Sequence, residues 1–496
     1  MRLRDRCARN WGLAAPLLVL CAWAPPARAQ KLSIQGDRFA VDGAPRFLTF
    51  ISYFGAMGAP NIPADFRFLH SMGFDGVRIW PNLDTGPQLM NGDGSLRPEG
   101  LSRLLFILDQ AKLERLVVDV TFTYEHIPGM TPATARIGIA AATEALRAYD
   151  NILFDIQNER NVQDRRYMSE ADVGAIFAAI KAADPNRIAT ADNSLGEDWG
   201  PQYAADFTAR LGLDVTAFHE SRRSDWYTPA FYSSMIGTLK SNGKPAYLQE
   251  PNSTRDRTYQ ANDRAEYYLQ AIANAKLFGA AAWCFHTLVA TDWGDGGPAF
   301  IEDRLRAYPE PEWTFVNSLK PRVILRTSNG VNYVVPESGG GGGVRADRTM
   351  AGPGSWEIFG VTTLAGGPMI TGDRLALAAA DGVHYLQATG GGGSSLRAVG
   401  QSIGAWETFV IQRAGGGSGW IRHGESVTLR ANDSSWYVSA ENGGGGAVSA
   451  AGATAGSWET FTILFVTPHS ALTAPGQSLP FGRRRSPFSA GGAGQP

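Results

Sequence analysis

Two glutamates stand where the chain leaves an apolar run. In "NILFDIQNERN", residues 151–161, the run from Ile152 to Ile156 delivers the chain to Asn158 and Glu159. In "KPAYLQEP", Glu250 follows Tyr247 and Leu248 in the same manner. Two carboxylates flanking one bond are what glycosidic cleavage requires, one acting on the sugar carbon or a water and one trading a proton with the leaving oxygen. Other polar or aromatic residues end apolar runs in the same way: Arg78 and Trp80 in "GVRIWPN", His219 and Glu220 in "DVTAFHES", Trp283 and His286 in "AAAWCFHT". The seven histidines include no H-x-x-x-H pair and no carboxylate loop near them, so neither a metal nor another cofactor is expected.

The elements that must hold these residues alternate along the chain. Eight short apolar or β-branched runs begin at residues 48, 76, 115, 151, 187, 214, 244 and 280, with helical patterns between them. "SEADVGAIFAAIKAAD" is one such helix: Ser169 and Asp172 read as a capping box, and Val173, Ile176, Phe177 and Ile180 repeat at helical spacing. This pattern predicts a (β/α)8 barrel, an α/β fold whose active site forms at the carboxyl ends of the strands. A doubly wound open sheet would carry a glycine-rich phosphate turn after its first strand, and none is present.

A different texture follows residue 320. Helical periodicity stops, glycine becomes dense, and "NYVVPESGGGGGVRA", "HYLQATGGGGSSLRA" and "WYVSAENGGGGAVSA" align, with Tyr333, Tyr385 and Tyr437 each 52 residues apart. "GSWEIFGV", "GAWETFVI" and "GSWETFTI" align as well, placing Trp356, Trp406 and Trp458 at intervals of 50 and 52. Three all-β copies predict a β-trefoil in which each copy supplies four short strands. Strand alternation sends Phe409 and Ile411 to the core and Trp406 outward. The expected domains are therefore a leader at 1–29, the barrel at 30–320, the trefoil at 321–467 and a Pro/Gly/Ser-rich disordered tail at 468–496.

With 496 residues, 44% hydrophobic and 19% charged, the chain has material for more than one core. Arg2, Arg4, Arg6 and Arg9 precede the apolar stretch "LAAPLLVLCAWA", and "ARA" at 27–29 follows, which reads as a secretory signal cleaved before Gln30. Removing five arginines and Asp5 with the leader takes the formal charge from -2 to -6, so no basic field for nucleic acid exists. No later run is long enough for a membrane anchor. Cys7 and Cys21 leave with the leader, so Cys284 stands alone as a small buried hydrophobe and no internal disulfide is expected.

The residues at the strand ends carry a family resemblance. Residues 31–318 resemble glycoside hydrolase family 5 and its clan A relatives, through Arg78 in "VRIWPN", Asn158-Glu159 in "IQNERN", His219 in "AFHES", Glu250 in "YLQEP" and Trp283 in "AAAWCF". The resemblance implies Glu159 as acid/base, Glu250 as nucleophile and retention through a covalent glycosyl-enzyme. It further implies Arg78 beside the nucleophile, Asn158 on the sugar 2-hydroxyl, His219 in the site and Trp283 as an aromatic platform, with Trp80, Trp293 and Tyr124 lining subsites. Three positions depart from the family pattern: Ser221 stands where a Tyr is frequent, Arg160 follows the acid/base where Pro is usual, and Thr121 replaces a common His.

The three "G-x-W-E-x-F" copies, within 321–467, resemble fascin-like trefoils and carbohydrate-binding modules of family 92. That resemblance implies a sugar site at each pair Trp356-Glu357, Trp406-Glu407 and Trp458-Glu459, with β-glucan as the polymer. Together these expectations describe a secreted, monomeric, retaining β-glycosidase with a polysaccharide-binding module. Two alternatives use the same residues: a non-catalytic polysaccharide-binding protein, and a transglycosylase.

Overall fold

The computed structural model describes residues 30–83, 86–194, 200–220, 224–251, 264–287, 299–349, 356–432 and 434–466. The expected leader at 1–29, the expected tail at 468–496, Ser221 and Trp293 lie outside these residues.

Each of the eight apolar runs forms a parallel strand: Leu48–Ser52, Gly76–Ile79, Val117–Thr121, Ile152–Asp155, Ile188–Thr190, Thr216–His219, Ala246–Glu250 and Ala282–Phe285. They are numbered one to eight here. Every residue in them is buried, as strands covered on both faces must be. Neighbours follow the order five-four-three-two-one-eight-seven-six, so strand one pairs with strand eight as well as strand two. Between strands five and six the seam is held by local bonds instead of a ladder. Asp214 N–H donates to Ala189 O at 3.1 Å, and Thr190 Oγ1 donates to Val215 O at 2.7 Å. The result is the (β/α)8 barrel that the alternation predicts.

The helix Glu170–Ala183 starts at Ser169, whose Oγ accepts Asp172 N–H at 3.1 Å. The reciprocal half of the expected capping box does not form. An Asp side chain is one methylene shorter than the Glu or Gln that reaches back to the cap N–H, and Asp172 instead accepts the Ser169 hydroxyl at 2.6 Å. Val173, Ile176 and Ile180 are buried, with Phe177 half-buried beside them.

Residues 32–45, to which the sequence assigned no role, form a small antiparallel sheet, Leu32–Gln35, Arg38–Val41 and Ala44–Pro45. Leu32, Phe39 and Val41 pack with Leu48, Val117, Ile188 and Val215, the first residues of barrel strands or their immediate neighbours. This sheet plugs the amino end of the barrel and leaves the carboxyl end as the open face.

The last α-helix among the described residues, Thr314–Leu319, runs directly into Arg322–Thr327, the first of twelve antiparallel strands described there. The twelve fall into three groups of four, each in one sequence repeat. First and fourth strands of each group pair with each other and with the next group. Arg322–Thr327 pairs with Phe359–Thr363 and with the final strand Phe461–Val466, which closes a six-stranded ring. The second and third strands of each group form a hairpin, each with a register shift two residues after the repeated Tyr.

This all-β domain docks at the amino end of the barrel. Phe47 N–H donates to Ala365 O at 2.8 Å, just before strand one. Gly366 has φ +78°, and a Cβ there would lie 2.2 Å from Phe47 O, so only glycine lets the two backbones approach this closely. Lys276 Nζ, buried in the joint, donates to Asp373 Oδ2 at 2.7 Å and Pro368 O at 2.9 Å. The repeated domain is thus fixed to the pole opposite the open face.

Candidate active site

Strand two carries Arg78 into the barrel lumen with no exposed surface. Its guanidinium is the hub of the open face. Nε donates to Thr121 Oγ1 at 2.9 Å, Nη1 to Glu250 Oε1 at 2.7 Å, and Nη2 lies 2.9 to 3.1 Å from oxygens of Asp155, Asn158 and Asp192. Asp119 closes the ring at 3.5 Å. Burial works against the charge on Arg78, but Glu250, Asp192, Asp119 and Asp155 outweigh it and hold the guanidinium protonated.

One cation cannot neutralise that many carboxylates, so protons are kept on some. Burial and the neighbouring Asp192 push Asp155 well above the usual carboxylate range. Burial raises Asp119 too, against the pull of Arg78. Asp192 is depressed: its burial is outweighed by His219, by a hydrogen bond from Asp155 and by Arg78. Asp155 and Asp192 therefore share a proton, with the charge on Asp192.

His219, ending strand six, lies between the two glutamates. Its Nδ1 is 3.4 Å from Glu159 Oε1 and 3.4 Å from Glu250 Oε2, and its Nε2 is 3.1 Å from Asp192 Oδ2. Burial alone would discharge it, yet Asp192 and Glu250 raise it well above the ordinary imidazole value, so both ring nitrogens carry protons. Glu250 is held the other way. Burial would raise it, but His219, His286 and Arg78 bring it down to about 2, a carboxylate ionised at any ordinary pH. His286, after strand eight, places Nε2 3.5 Å from Glu250 Oε2.

Glu159 sits beyond the end of strand four with φ +49°, a left-handed conformation that a non-glycine residue rarely adopts. Asp192 Oδ1 accepts its backbone N–H, and Asn158 N–H donates to Phe122 O at 3.0 Å. These bonds turn the chain so that the Glu159 side chain faces Glu250. One oxygen of each carboxylate and one nitrogen of His219 lie within 4.8 Å of one another. Arg78 pairs with Glu250, Arg166 with Glu159, and His219 lies between the two carboxylates, an arrangement through which a proton can pass.

Most residues nominated from the sequence converge here. Asn158 Oδ1 accepts from Arg78 and, at 3.4 Å, from Trp80 Nε1. Trp80 stacks on Phe54 with centroids 4.0 Å apart. The three departures from the family pattern each have a local account or lie outside view. Thr121 accepts from Arg78 and donates to Asp119 Oδ1 at 3.1 Å. Arg160 turns away from Glu159, its guanidinium 4.5 Å from the Phe207 ring centre and Nη1 donating to Met168 O at 3.2 Å. Ser221 is outside the described residues. Tyr124 follows strand three and donates its hydroxyl to Tyr167 O.

Trp283 does not belong to the site, which corrects the expected aromatic platform. It is fully buried, its Nε1 donates to Tyr232 OH at 3.2 Å, and its ring lies 5.8 Å from Phe315 in the layer between barrel and helices. Successive strand residues face opposite sides, and Cys284 takes the inward place. Glu220 is likewise buried away from the mouth, where burial keeps it protonated and Tyr232 OH donates to it at 3.0 Å.

The sequence reading missed Asp119, Asp155 and Asp192. Each is a lone acid in an apolar strand run, "VVDVT", "LFDI" and "ATADN", and Arg78 is the lone cation in another. A single charge inside a buried strand needs a partner, and that was the available signal.

In the repeated domain, Trp356, Trp406 and Trp458 expose 41%, 47% and 47% of their surface, while Phe409 and Ile411 are buried. The paired glutamates are a correction. Glu357, Glu407 and Glu459 are buried. Glu407 accepts Gly404 N–H at 3.0 Å and Gln387 Nε2 at 2.6 Å, and Glu459 accepts Gly456 N–H at 2.9 Å. Glu407 and Glu459 fasten the turns that present Trp406 and Trp458, and none of the three faces solvent as a sugar acceptor.

No protein-family model matches this chain, and no curated protein sequence matches it. Solved structures do. A β-mannanase from Thermomonospora fusca in complex with mannotriose is 16% identical with a TM-score of 0.37, over 52% of this chain and 84% of that one. An endo-1,4-β-mannanase from Eisenia fetida is 15% identical with a TM-score of 0.39, over 52% and 89%. A glycoside hydrolase family 5 protein from Bacteroides vulgatus is 14% identical with a TM-score of 0.40, over 52% and 62%.

Proposed function

We propose that the barrel is a retaining glycoside hydrolase, with Glu250 as nucleophile and Glu159 as acid/base. The observation that carries this reading is the placement of two carboxylates, with oxygens within 4.8 Å of each other, one just beyond strand four and one at the end of strand seven, on the open face. Double displacement uses carboxyl groups about 5 to 5.5 Å apart, whereas inversion needs roughly 6.5 to 9.5 Å to fit a water. The asymmetry of environment supports the assignment. Glu250 is ionised and gripped by Arg78, as a nucleophile should be, while Glu159 lies at the rim where a leaving oxygen can reach it.

The mechanism follows from these residues. Glu250 attacks the anomeric carbon and the glycosidic bond breaks as Glu159 delivers its proton to the departing oxygen. Water then gives a proton to Glu159 and displaces Glu250. His219, protonated between the two, steadies the negative charge on whichever carboxylate carries it at each step. Asn158, with Oδ1 engaged by Arg78, keeps its amide hydrogens to donate to the sugar 2-hydroxyl.

The substrate we propose is a β-linked polysaccharide, with β-glucan favoured by the repeated domain's likeness to glucan-binding modules and β-mannan as its competitor. The three exposed tryptophans are sugar platforms, and three such sites on one rigid domain hold a polymer by avidity. The protein acts outside the cytoplasm as a monomer, after removal of residues 1–29, which mass spectrometry of the mature chain would check. The deciding experiment is product release from β-glucans, β-mannan and xylan by wild type, Glu159→Ala and Glu250→Ala, with anomer detection by NMR. Retention of configuration together with loss in both variants is expected; an inverted product, or no cleavage of any polymer, would overturn the reading.

A further inference from the structure

The loop after strand four places a cation on the group assigned to proton transfer. Arg166 Nη1 is paired with Glu159 Oε2. The same guanidinium is held from behind by Asp164, with Nε 3.1 Å from both carboxylate oxygens and Nη2 2.8 Å from Oδ2. The loop itself is anchored: Asn161 exchanges bonds with Ser194, Nδ2 to O at 3.0 Å and Oδ1 from N–H at 2.6 Å, and Met168 N–H returns to Arg160 O at 2.8 Å. The Arg166 side chain is 27% exposed and the Asp164 side chain 48%, so the pair has room to move on an anchored backbone.

Resting on the assignment of Glu159 as acid/base, we propose that Arg166 is a positioning residue that grips Glu159 Oε2 in the free enzyme and yields it when the leaving-side sugar enters. A carboxylate oxygen held in an arginine pair has no proton to give, and the leaving oxygen must approach that carboxylate. Arg166 therefore swings onto Asp164, its second and already formed partner, as the sugar arrives. After the first displacement it returns to the carboxylate, steadying it until water arrives.

Several groups face Glu159. Arg166 and Asp164 come from its own loop, His219 from strand six and Glu250 from strand seven. Asp192 touches its backbone, and Arg78 lies one residue away through Asn158. Of these, Arg166 is the cation that can leave without dismantling the buried network.

The test compares Arg166→Ala and Arg166→Lys with wild type on two substrates. One is the polysaccharide, whose poor leaving group needs the acid; the other is its dinitrophenyl glycoside, whose leaving group does not. In Arg166→Ala, kcat/KM on polysaccharide should fall by about tenfold, and Arg166→Lys should restore most of it. On the dinitrophenyl glycoside, the glycosylation step should change less than about threefold in either variant. An unchanged kcat/KM on polysaccharide in Arg166→Ala, or an equal fall on both substrates, overturns the proposal. Glu159→Gln separates the two layers: if it keeps wild-type rates on polysaccharide, the acid/base assignment has failed; if it abolishes them while Arg166→Ala leaves polysaccharide hydrolysis unchanged, only the arginine's role has.

Discussion

The barrel makes one site from eight unlike strand ends, whereas the repeated domain makes one corner three times. In the barrel, function depends on convergence: Arg78, Glu159, His219 and Glu250 are distant in sequence and meet only because the sheet closes. In the repeated domain Trp406 and Trp458 are each presented by a turn fastened to a buried Glu of the same copy, Trp356 is exposed in the third copy, and losing one leaves two. The comparison teaches that the first site is fragile to single substitutions and the second is buffered against them.

The largest effect expected on that contrast comes from Glu250, the proposed nucleophile. Glu250→Ala should lower hydrolysis by on the order of a thousandfold or more, while pull-down on the same polysaccharide is unchanged. If binding fell with activity, the two regions would not be independent. Next comes the hub. Arg78→Ala leaves Asp119, Asp155, Asp192 and Glu250 facing one another in the lumen without their cation. Breaking a buried ion pair by removing one partner costs about 3 to 5 kcal/mol, so thermal unfolding should shift down by many degrees along with the loss of activity. Arg78→Lys should not rescue it, because one ammonium cannot reproduce contacts made by three guanidinium nitrogens.

Acid sharpens the same contrast. Glu250 is depressed from 4.5 to about 2 in the folded protein, so its contribution to stability is present above pH 4.5 and is lost as pH falls from there towards 2. Wild type should therefore lose urea resistance more steeply across that window than Glu250→Gln. Parallel curves for the two proteins would mean that the grip of His219, His286 and Arg78 on this carboxylate is not as described.

The two regions also differed in how much the sequence disclosed. All eight strands were legible because parallel strands buried on both faces read as apolar runs, and both glutamates were legible because they end two of them. Asp119, Asp155 and Asp192 were not, since one acid among valines and isoleucines leaves the pattern unchanged. Trp283 was misplaced for want of counting its parity against Cys284. The small sheet at 32–45 went unassigned because its strands are short and its function is to plug. In the repeats, copy against copy gave the strands and the outward Trp directly. What repetition could not show was that Glu407 bonds backwards to its own turn, because alternation places the Cβ and not the end of a long side chain.

That last point yields the finest discrimination. Glu407 holds Gly404 N–H with Oε2 and Gln387 Nε2 with Oε1. In Glu407→Gln the new amide can keep its oxygen on Gly404, and Gln387 can flip to offer its own oxygen to the new NH2. Both partners stay satisfied, and stability should fall by less than about 1 kcal/mol, with glucan retention nearly intact. Glu407→Ala leaves both donors without an acceptor in a buried corner, for about 1 to 3 kcal/mol, and frees the turn that carries Trp406. Retention should then drop only as far as in Trp406→Ala, since Trp356 and Trp458, the other two proposed platforms, are untouched. A large loss of retention in Glu407→Gln at unchanged thermal stability would put that carboxylate on the sugar after all, and would make the repeated corners binding sites in their own right instead of mounts for a tryptophan.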